Sequence, residues 1–135
     1  MAYSSVTKPE NHFNTILWTG DGNDDRNITG VGYQPDWTWI KCRGQAYHHY
    51  VFDSPRGATK RIVTNTGDPE STQSNELQSF LTDGFQVGSD NGMNQNTDTY
   101  VAWNWLAGGT APAITYVVKV VSDSGNKYRF DDFGT

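Results

Sequence analysis

Acidic and amide side chains alternate at the start of one polar segment, where their spacing could serve a metal ion. Asp21, Asn23 and Asp25 have the spacing with which a calcium-binding loop opens. The sixth position of such a loop requires glycine but holds Arg26, and the twelfth requires a bidentate glutamate but holds Gly32. Short polar side chains at this density also form turns in which they accept backbone N–H groups. We therefore expect an Asx-rich turn here and no metal site.

The histidines, the cysteine and a serine beside an aspartate are the other groups that could do chemistry. His48 and His49 are adjacent, and on a strand their rings would point to opposite faces, so they cannot bind one ion together. Cys42 is the single cysteine, which excludes an internal disulfide and multi-cysteine zinc sites and predicts a buried thiol. Ser54 beside Asp53 lacks the glycine-flanked elbow of serine hydrolases. The sequence predicts no catalytic residue, no metal ligand and no cofactor site, and we expect the chain not to be an enzyme.

The string FDSPRG at residues 52–57 predicts a structural corner. Asp53 can accept backbone N–H groups across the turn, Arg56 can pair with that carboxylate, and Gly57 can adopt a positive φ. Asp83 lies in another turn signal, where bonds from its side chain to the backbone would explain it. No two carboxylates can be placed as the facing pair that glycoside hydrolysis needs.

Composition and net charge limit the classes of partner that this chain is expected to bind. The 135 residues suit one compact domain, and the formal net charge is −5 with scattered basic residues. A nucleic-acid-binding protein shows a concentrated basic stripe, so we expect no nucleic-acid partner. No apolar run approaches the length of about 20 residues that a membrane helix needs, and residues 1–8 lack the apolar core of a signal peptide. We expect a protein made in a cytoplasm, with no membrane partner.

Many short strands must position these side chains. Aromatic residues make up 13% of the chain, and glycine is abundant while strong helix formers are scarce, so the composition favours an all-β fold. Residues 66–78 read as a polar loop. The recurrence of strands and turns predicts an antiparallel, jelly-roll-like β-sandwich over residues 1–109 and a C-terminal β-hairpin extension over residues 110–135. The predicted strands are 13–19, 27–33, 37–43, 48–53, 60–65, 84–88, 98–106, 114–122 and 127–130.

Two Trp-x-Trp pairs dominate the predicted strands. Side chains alternate along a strand, so Trp37 and Trp39 share one face, and Trp103 and Trp105 share a face of a second strand. If the two faces meet, the four indoles fill a sandwich core about 10 Å thick. We expect this inward arrangement because an exposed row of indoles invites aggregation.

Other aromatic residues allow an alternative, in which the chain is a carbohydrate-binding module for host attachment. Trp37 together with a second cluster could form a platform on which sugar rings stack, and the partner would then be a host surface glycan. That platform would consist of Trp37, Tyr47, His48, His49 and Tyr50.

The strand predicted at residues 114–122 is apolar on both faces. Such a strand needs cover on both sides and pairing along its edge. We therefore expect residues 113–130 to form an oligomer contact or to dock on a larger particle, and we expect a homo-oligomer. The contact residues would be Ile114, Tyr116, Val118 and Val120 on one face and Val117 and Val121 on the other.

Five strings in order carry a resemblance to a known domain. They are GVGYQPD at 30–36, WIK at 39–41, FDSPRGATK at 52–60, LQSFLTDGFQVG at 77–88 and YVAWNWLAGG at 100–109. Together they resemble a repeated β-rich domain of virion structural proteins of marine tailed bacteriophages. The resemblance implies a non-enzymatic component of the virion (a head-surface decoration, a collar or a tail or fibre protein) whose partners are other virion proteins. Residues 113–135 resemble the opening strands of a different β-domain that follows this module.

Overall fold

The structure is a computed structural model that describes residues 8–107 and the backbone of two short strands beyond them. A 3₁₀ turn, Pro9–Asn11, leads into the first strand, and one short helix, α1, spans Asn91–Asn94. The remaining elements are strands, so the predicted all-β class is confirmed. They are β1 Phe13–Thr19, β2 Arg26–Thr29, β3 Trp37–Cys42, β4 His49–Asp53, β5 Lys60–Val63, β6 Ser71–Thr72, β7 Leu77–Leu81, β8 Gly84–Val87, β9 Thr99–Trp105, β10 Val120–Ser122 and β11 Tyr128–Phe130.

The strands form two antiparallel sheets that pack as a sandwich. The larger sheet has six strands in the order β1-β9-β3-β4-β5-β6, and the smaller has three in the order β2-β8-β7. Contacts between side chains of the two sheets connect them, and the ring of Trp18 on β1 meets that of Phe85 on β8 at 5.8 Å. Both sheets contribute to one hydrophobic core, as the predicted sandwich requires.

One face of the larger sheet lines the core. Along β3 the residues alternate between half-buried and buried, and Ile40 and Cys42 lie on the buried side, so the predicted buried thiol is confirmed. Tyr100 and Phe52 contribute large rings to the same layer and are fully buried. Below them, Leu77, Phe85 and Val87 of the smaller sheet are also fully buried. The core therefore consists of the residues that alternate with the tryptophans along the strands of the larger sheet, together with the inward-facing residues of the smaller sheet.

The prediction that four indoles fill the core is wrong. Trp37, Trp39, Trp103 and Trp105 are half-buried and lie on the face of the larger sheet that points away from the smaller one. The alternation gave the shared faces correctly, since Trp39 pairs with Trp103 and Trp37 with Trp105. The error lies in the strand order, because β3 and β9 are hydrogen-bonded neighbours. Their indoles therefore lie side by side on one sheet and do not meet across the sandwich.

Backbone irregularities account for the strands that differ from prediction. The strand predicted at 27–33 ends at Thr29, because Gly30 and Gly32 adopt φ of 93° and 91°. Their N–H groups bind the Asp83 carboxylate at 3.1 and 2.5 Å, which confirms the structural role predicted for that acid. The segment predicted as a loop at 66–78 contains β6 and the start of β7. The sequence did not predict β7, because a register shift between Leu77 and Ser79 disrupts the alternation of apolar and polar side chains along this strand.

The C-terminal hairpin is described by its backbone alone. β10 pairs antiparallel with β11, with Val120 opposite Phe130, as the predicted hairpin requires. Ile114, Tyr116, Val117 and Val118 lie outside the described residues. Their contact role, that of Val120 and Val121, and the division at 109/110 all stay predictions.

Candidate functional site

Five aromatic side chains form a continuous surface, here called the outer aromatic face, on the outward side of the larger sheet. It consists of Phe13 on β1, Trp37 and Trp39 on β3, and Trp103 and Trp105 on β9. The ring centroids of Trp37 and Trp105 are 4.3 Å apart, those of Trp39 and Trp103 are 5.4 Å apart, and those of Phe13 and Trp105 are 4.8 Å apart. Directly opposed strand positions produce these contacts, which stabilise the sheet as cross-strand aromatic pairs do.

The rings of the outer aromatic face are inclined to one another. The planes of Trp37 and Trp105 meet at 70°, those of Trp39 and Trp103 at 47°, and those of Phe13 and Trp105 at 56°. The rings of Trp37 and Trp105 therefore meet edge to face, which is an arrangement that ring quadrupoles favour, and the other two pairs are tilted. The result is a ridged surface whose side chains hold each other in place.

Aliphatic side chains extend this surface across the sheet. Leu17 is 60% exposed and Phe13 is 40% exposed, both on the edge strand β1. On the other side, Val51 of β4 lies opposite Trp39, and Ile62 of β5 lies opposite Val51. Ile62 is itself exposed. An apolar band thus runs from β1 to β5, and contiguous bands of this kind mark interaction sites in soluble proteins.

The charged groups that share this side of the sheet are held at its ends. Lys41 donates from Nζ to the carbonyl oxygens of Gln45 and Tyr47, at 3.0 and 2.8 Å, so its ammonium group points into the β3–β4 loop. Asp53, at the opposite end of β4, is paired with Arg56. The centre of the outer aromatic face is therefore apolar.

The predicted carbohydrate platform is divided between different parts of the fold. Trp37 lies on the outer aromatic face, and the His49 ring lies beside it on the same side, 6.2 Å from that of Trp39. Tyr50 is buried in the core, and His48 contacts its ring at 6.4 Å. Tyr47 packs against the core, and its hydroxyl donates to Gln95 at 2.6 Å. The structure does not bring the five side chains onto one surface, and sugar binding by them stays a prediction.

The Asx-rich turn predicted at Asp21 is confirmed. The Asp21 carboxylate accepts the Asn23 N–H at 3.0 Å, and this bond is the main cause that lowers the pKa of Asp21. Arg26 brings its own positive charge to the loop, with Nε 3.4 Å from the same carboxylate. Its Nη1 donates to Asn94 at 2.8 Å, which ties the loop to α1. The acidic residues of this segment thus stabilise a turn.

The corner predicted at residues 52–57 is confirmed in each of its parts. Asp53 accepts the Arg56 N–H at 3.0 Å and the Arg56 Nε–H at 2.6 Å. Gly57 adopts a φ of 103°, a conformation that side chains rarely permit. Arg56 also pairs with Glu70 at 3.1 Å, which attaches the corner to the β5–β6 region. These residues have a structural role.

A contact between Arg61 and the buried Glu76 is a feature that the sequence did not reveal. Glu76 is only 3% exposed and accepts a hydrogen bond from Arg61, whose guanidinium lies 5.3 Å above the Tyr50 ring. Burial raises the pKa of Glu76 to about 7, against the opposing effect of Arg61, and the carboxylate of Asp90 adds to the increase. Glu76 stands in a polar stretch of the chain, so no periodic signal marked this acid as buried.

The described residues contain neither a candidate metal-binding cluster nor a candidate membrane-spanning helix. Across residues 8–107 and the two C-terminal strands, no three histidine, cysteine or acidic side chains lie close enough together to hold a metal ion. In the same part of the chain, no helix has both the length and the apolar character for crossing a bilayer.

A match to a protein family covers most of the chain. The family is described as a domain of unknown function, DUF7483, and it matches residues 8–127. The chain belongs to this family. No curated protein and no solved structure matches it. The DUF7483 match contains all nine strands of the sandwich, and with them the outer aromatic face and the pair formed by Arg61 and Glu76.

Proposed function

We propose that this DUF7483 domain is a non-catalytic structural component of a tailed-phage virion, and that it docks onto neighbouring virion proteins through the outer aromatic face. The observation that carries the proposal is the cluster of five aromatic side chains on the outward side of the six-stranded sheet. The virion setting is supported by the resemblance of the ordered strings between residues 30 and 109. Those strings include Trp39 of β3 and Trp103 and Trp105 of β9.

The composition of the face suits a protein interface. Tryptophan is enriched among the residues that dominate binding energy in such interfaces, where single truncations cost about 2 kcal/mol or more. The rings of Trp37, Trp39 and Trp105 already contact one another in the free domain. They therefore lose little conformational freedom on docking, and more of the energy of apolar burial remains as affinity.

The tilt of the rings favours a protein partner over a glycan. Successive sugar rings stack on flat aromatic surfaces, whereas adjacent planes here meet at 47° to 70°. Inclined rings present both edges and faces, against which apolar and aromatic side chains of another protein can pack. The geometry thus supports the assembly role more strongly than the carbohydrate-binding alternative.

A reconstitution experiment tests the proposal. Purified chain is added to particles of the phage that encodes it, prepared without the corresponding gene, and the bound fraction is measured by sedimentation. The test variant combines Phe13→Lys and Leu17→Lys, which place two charges on exposed positions of the face. The control is Thr82→Lys together with Thr29→Lys, two exposed positions at the smaller sheet.

The outcomes are distinct. We expect the test variant to bind at least about 30-fold more weakly, the equivalent of about 2 kcal/mol, and the control to bind as the unmodified chain does. Equal binding by the test variant would overturn docking through this face, and failure of the unmodified chain to bind would overturn the virion role. Host polysaccharide should leave the intrinsic tryptophan fluorescence unchanged, and a saturable shift would instead establish the carbohydrate-binding alternative.

A further inference from the structure

The contact between Arg61 and Glu76 joins the two sheets at one margin of the sandwich. Arg61 lies on β5, near the end of the six-stranded sheet, and Glu76 immediately precedes β7, the outer strand of the smaller sheet. Arg61 Nη1 donates to Glu76 Oε1. The strands on the Arg61 side are held by short ladders, since β5 pairs with β4 at two positions and with β6 at two. If the contact between Arg61 and Glu76 weakens, few backbone hydrogen bonds therefore remain to hold β5 and β6 in place.

Glu76 is surrounded by groups from three other elements. The Arg61 guanidinium approaches from β5, the Tyr50 ring lies under that guanidinium on β4, and Asp90 stands at the start of α1. Asp90 is itself held in place, because it accepts the Gly92 N–H at 2.7 Å. A side chain at Gly92 would overlap the Tyr50 ring, so α1 is packed closely there.

The hydrogen bonds around Glu76 leave a negative charge incompletely compensated. Among the described residues, Glu76 Oε2 and Arg61 Nε are buried and have no hydrogen-bond partner. A buried carboxylate needs several such bonds, and an unmet one costs more when the group is charged than when it is neutral. Asp90 adds a second negative charge nearby. The site is therefore built to hold Glu76 better in its protonated form.

We propose that the Arg61–Glu76 contact is a proton-dependent clasp, which holds the two sheets together while Glu76 is protonated and loosens as the pH rises from acidic to neutral. The direction follows from linkage. Burial raises the pKa of Glu76 from 4.5 to about 7 in the folded state, and opening of the clasp returns the group to water. A raised pKa means that the stabilising contribution is complete below pH 4.5 and is lost between pH 4.5 and 7.

The size of the effect follows from the same values. Opening should be favoured about 30-fold more at pH 8 than at pH 5.5, if the carboxyl returns to its ordinary pKa in the open form. The increase should be confined to the margin formed by β5, β6 and β7. The other strands of the large sheet are joined by longer ladders and should not respond.

Two measurements on the full chain test the clasp. Carboxyl ¹³C chemical shifts give the titration midpoint of Glu76, and amide hydrogen exchange, corrected for its intrinsic pH dependence, gives the opening of β5 and β7. Glu76→Gln keeps the side-chain shape but cannot ionise. The control is Asp68→Asn, which removes an exposed acid from the β5–β6 connection.

We expect a midpoint near 7 and exchange at the margin that rises with pH in the unmodified chain and in Asp68→Asn but not in Glu76→Gln. A midpoint at or below 4.5 would overturn the proposal, because Arg61 pairing would then outweigh burial. A midpoint near 7 without faster exchange would also overturn it, since the titration would not move the sheets. If Glu76→Gln does not fold, the titration midpoint of Glu76 and the pH dependence of amide exchange in the unmodified chain still test the proposal.

Discussion

Asn94 is the buried residue on which the organisation of the 20–26 loop depends most. It is fully buried, and its carboxamide forms four hydrogen bonds. The oxygen accepts the Asp21 N–H at 3.2 Å and Arg26 Nη1 at 2.8 Å. The nitrogen donates to the Asp21 carboxylate and to the Asn23 carbonyl, both at 2.8 Å. We predict that Asn94→Ala destabilises the fold by about 4 kcal/mol, because each bond contributes about 1 kcal/mol net.

A second variant separates the donor bonds from the acceptor bonds. Asn94→Asp keeps the shape and both acceptor contacts but turns an oxygen toward the Asp21 carboxylate and the Asn23 carbonyl. We expect a loss of about 2–3 kcal/mol at neutral pH, since two bonds are lost and the repulsion is partly offset by Arg26. Asn96, an exposed amide in the same region, supplies the control, and its change to alanine should cost less than about 0.5 kcal/mol.

Urea unfolding followed by tryptophan fluorescence measures these differences. Trp18 is a suitable reporter, because its Nε1 donates to the carbonyl of Met93, the residue before Asn94. A loss below about 1 kcal/mol for Asn94→Ala would refute the reasoning, since the backbone alone would then hold the loop. If the dependence of the unfolding free energy on urea concentration differs between variants, the denatured state has changed. The comparison would then not test the native contacts.

Three other predictions concern the core and its pH dependence. Gly84→Ala should cost several kcal/mol by thermal unfolding, because a side chain would overlap a backbone carbonyl of β2 at a φ of 140°, whereas Gly67→Ala meets open space and should be nearly neutral. Thr38→Val should cost about 1–2 kcal/mol in urea, because it leaves the buried Asn104 oxygen without its 3.0 Å donor, and an unchanged midpoint would contradict this. Relative to the Glu76→Gln variant, the unmodified chain should lose about 2 kcal/mol between pH 5.5 and 8, and parallel pH profiles would refute the raised pKa.

Local signals in the sequence predicted local structure well. The bounds of β1 match the prediction at both ends, because its aromatic and β-branched residues stand between polar turns. The corner around Asp53 was predicted together with its contacts, and the segment at Asp21 was predicted as an Asx-rich turn. In the corner and in the turn, an aspartate side chain accepts a backbone N–H within three residues, so neighbouring sequence contains both partners of that bond.

Features that depend on the order of strands in a sheet could not be predicted from the sequence. The alternation placed Trp39 and Trp103 on shared faces, but their pairing required β3 to lie beside β9, which is far away in the chain. Glu76 was missed for a related reason, since its burial depends on Arg61 and on the closing of one sheet over the other. Non-local pairing of this kind leaves no periodic trace in a single sequence.

The accessibility of the indoles on the particle tests docking most directly. The chain is labelled with 7-azatryptophan, whose red-shifted absorption separates it from unlabelled virion proteins, and acrylamide quenching is compared before and after binding. Trp18 is buried in the free domain and contributes little to the change. If the domain docks as proposed, quenching should fall several-fold when the chain binds, because Trp37, Trp39, Trp103 and Trp105 become covered. Undiminished quenching of a fully bound chain would contradict it.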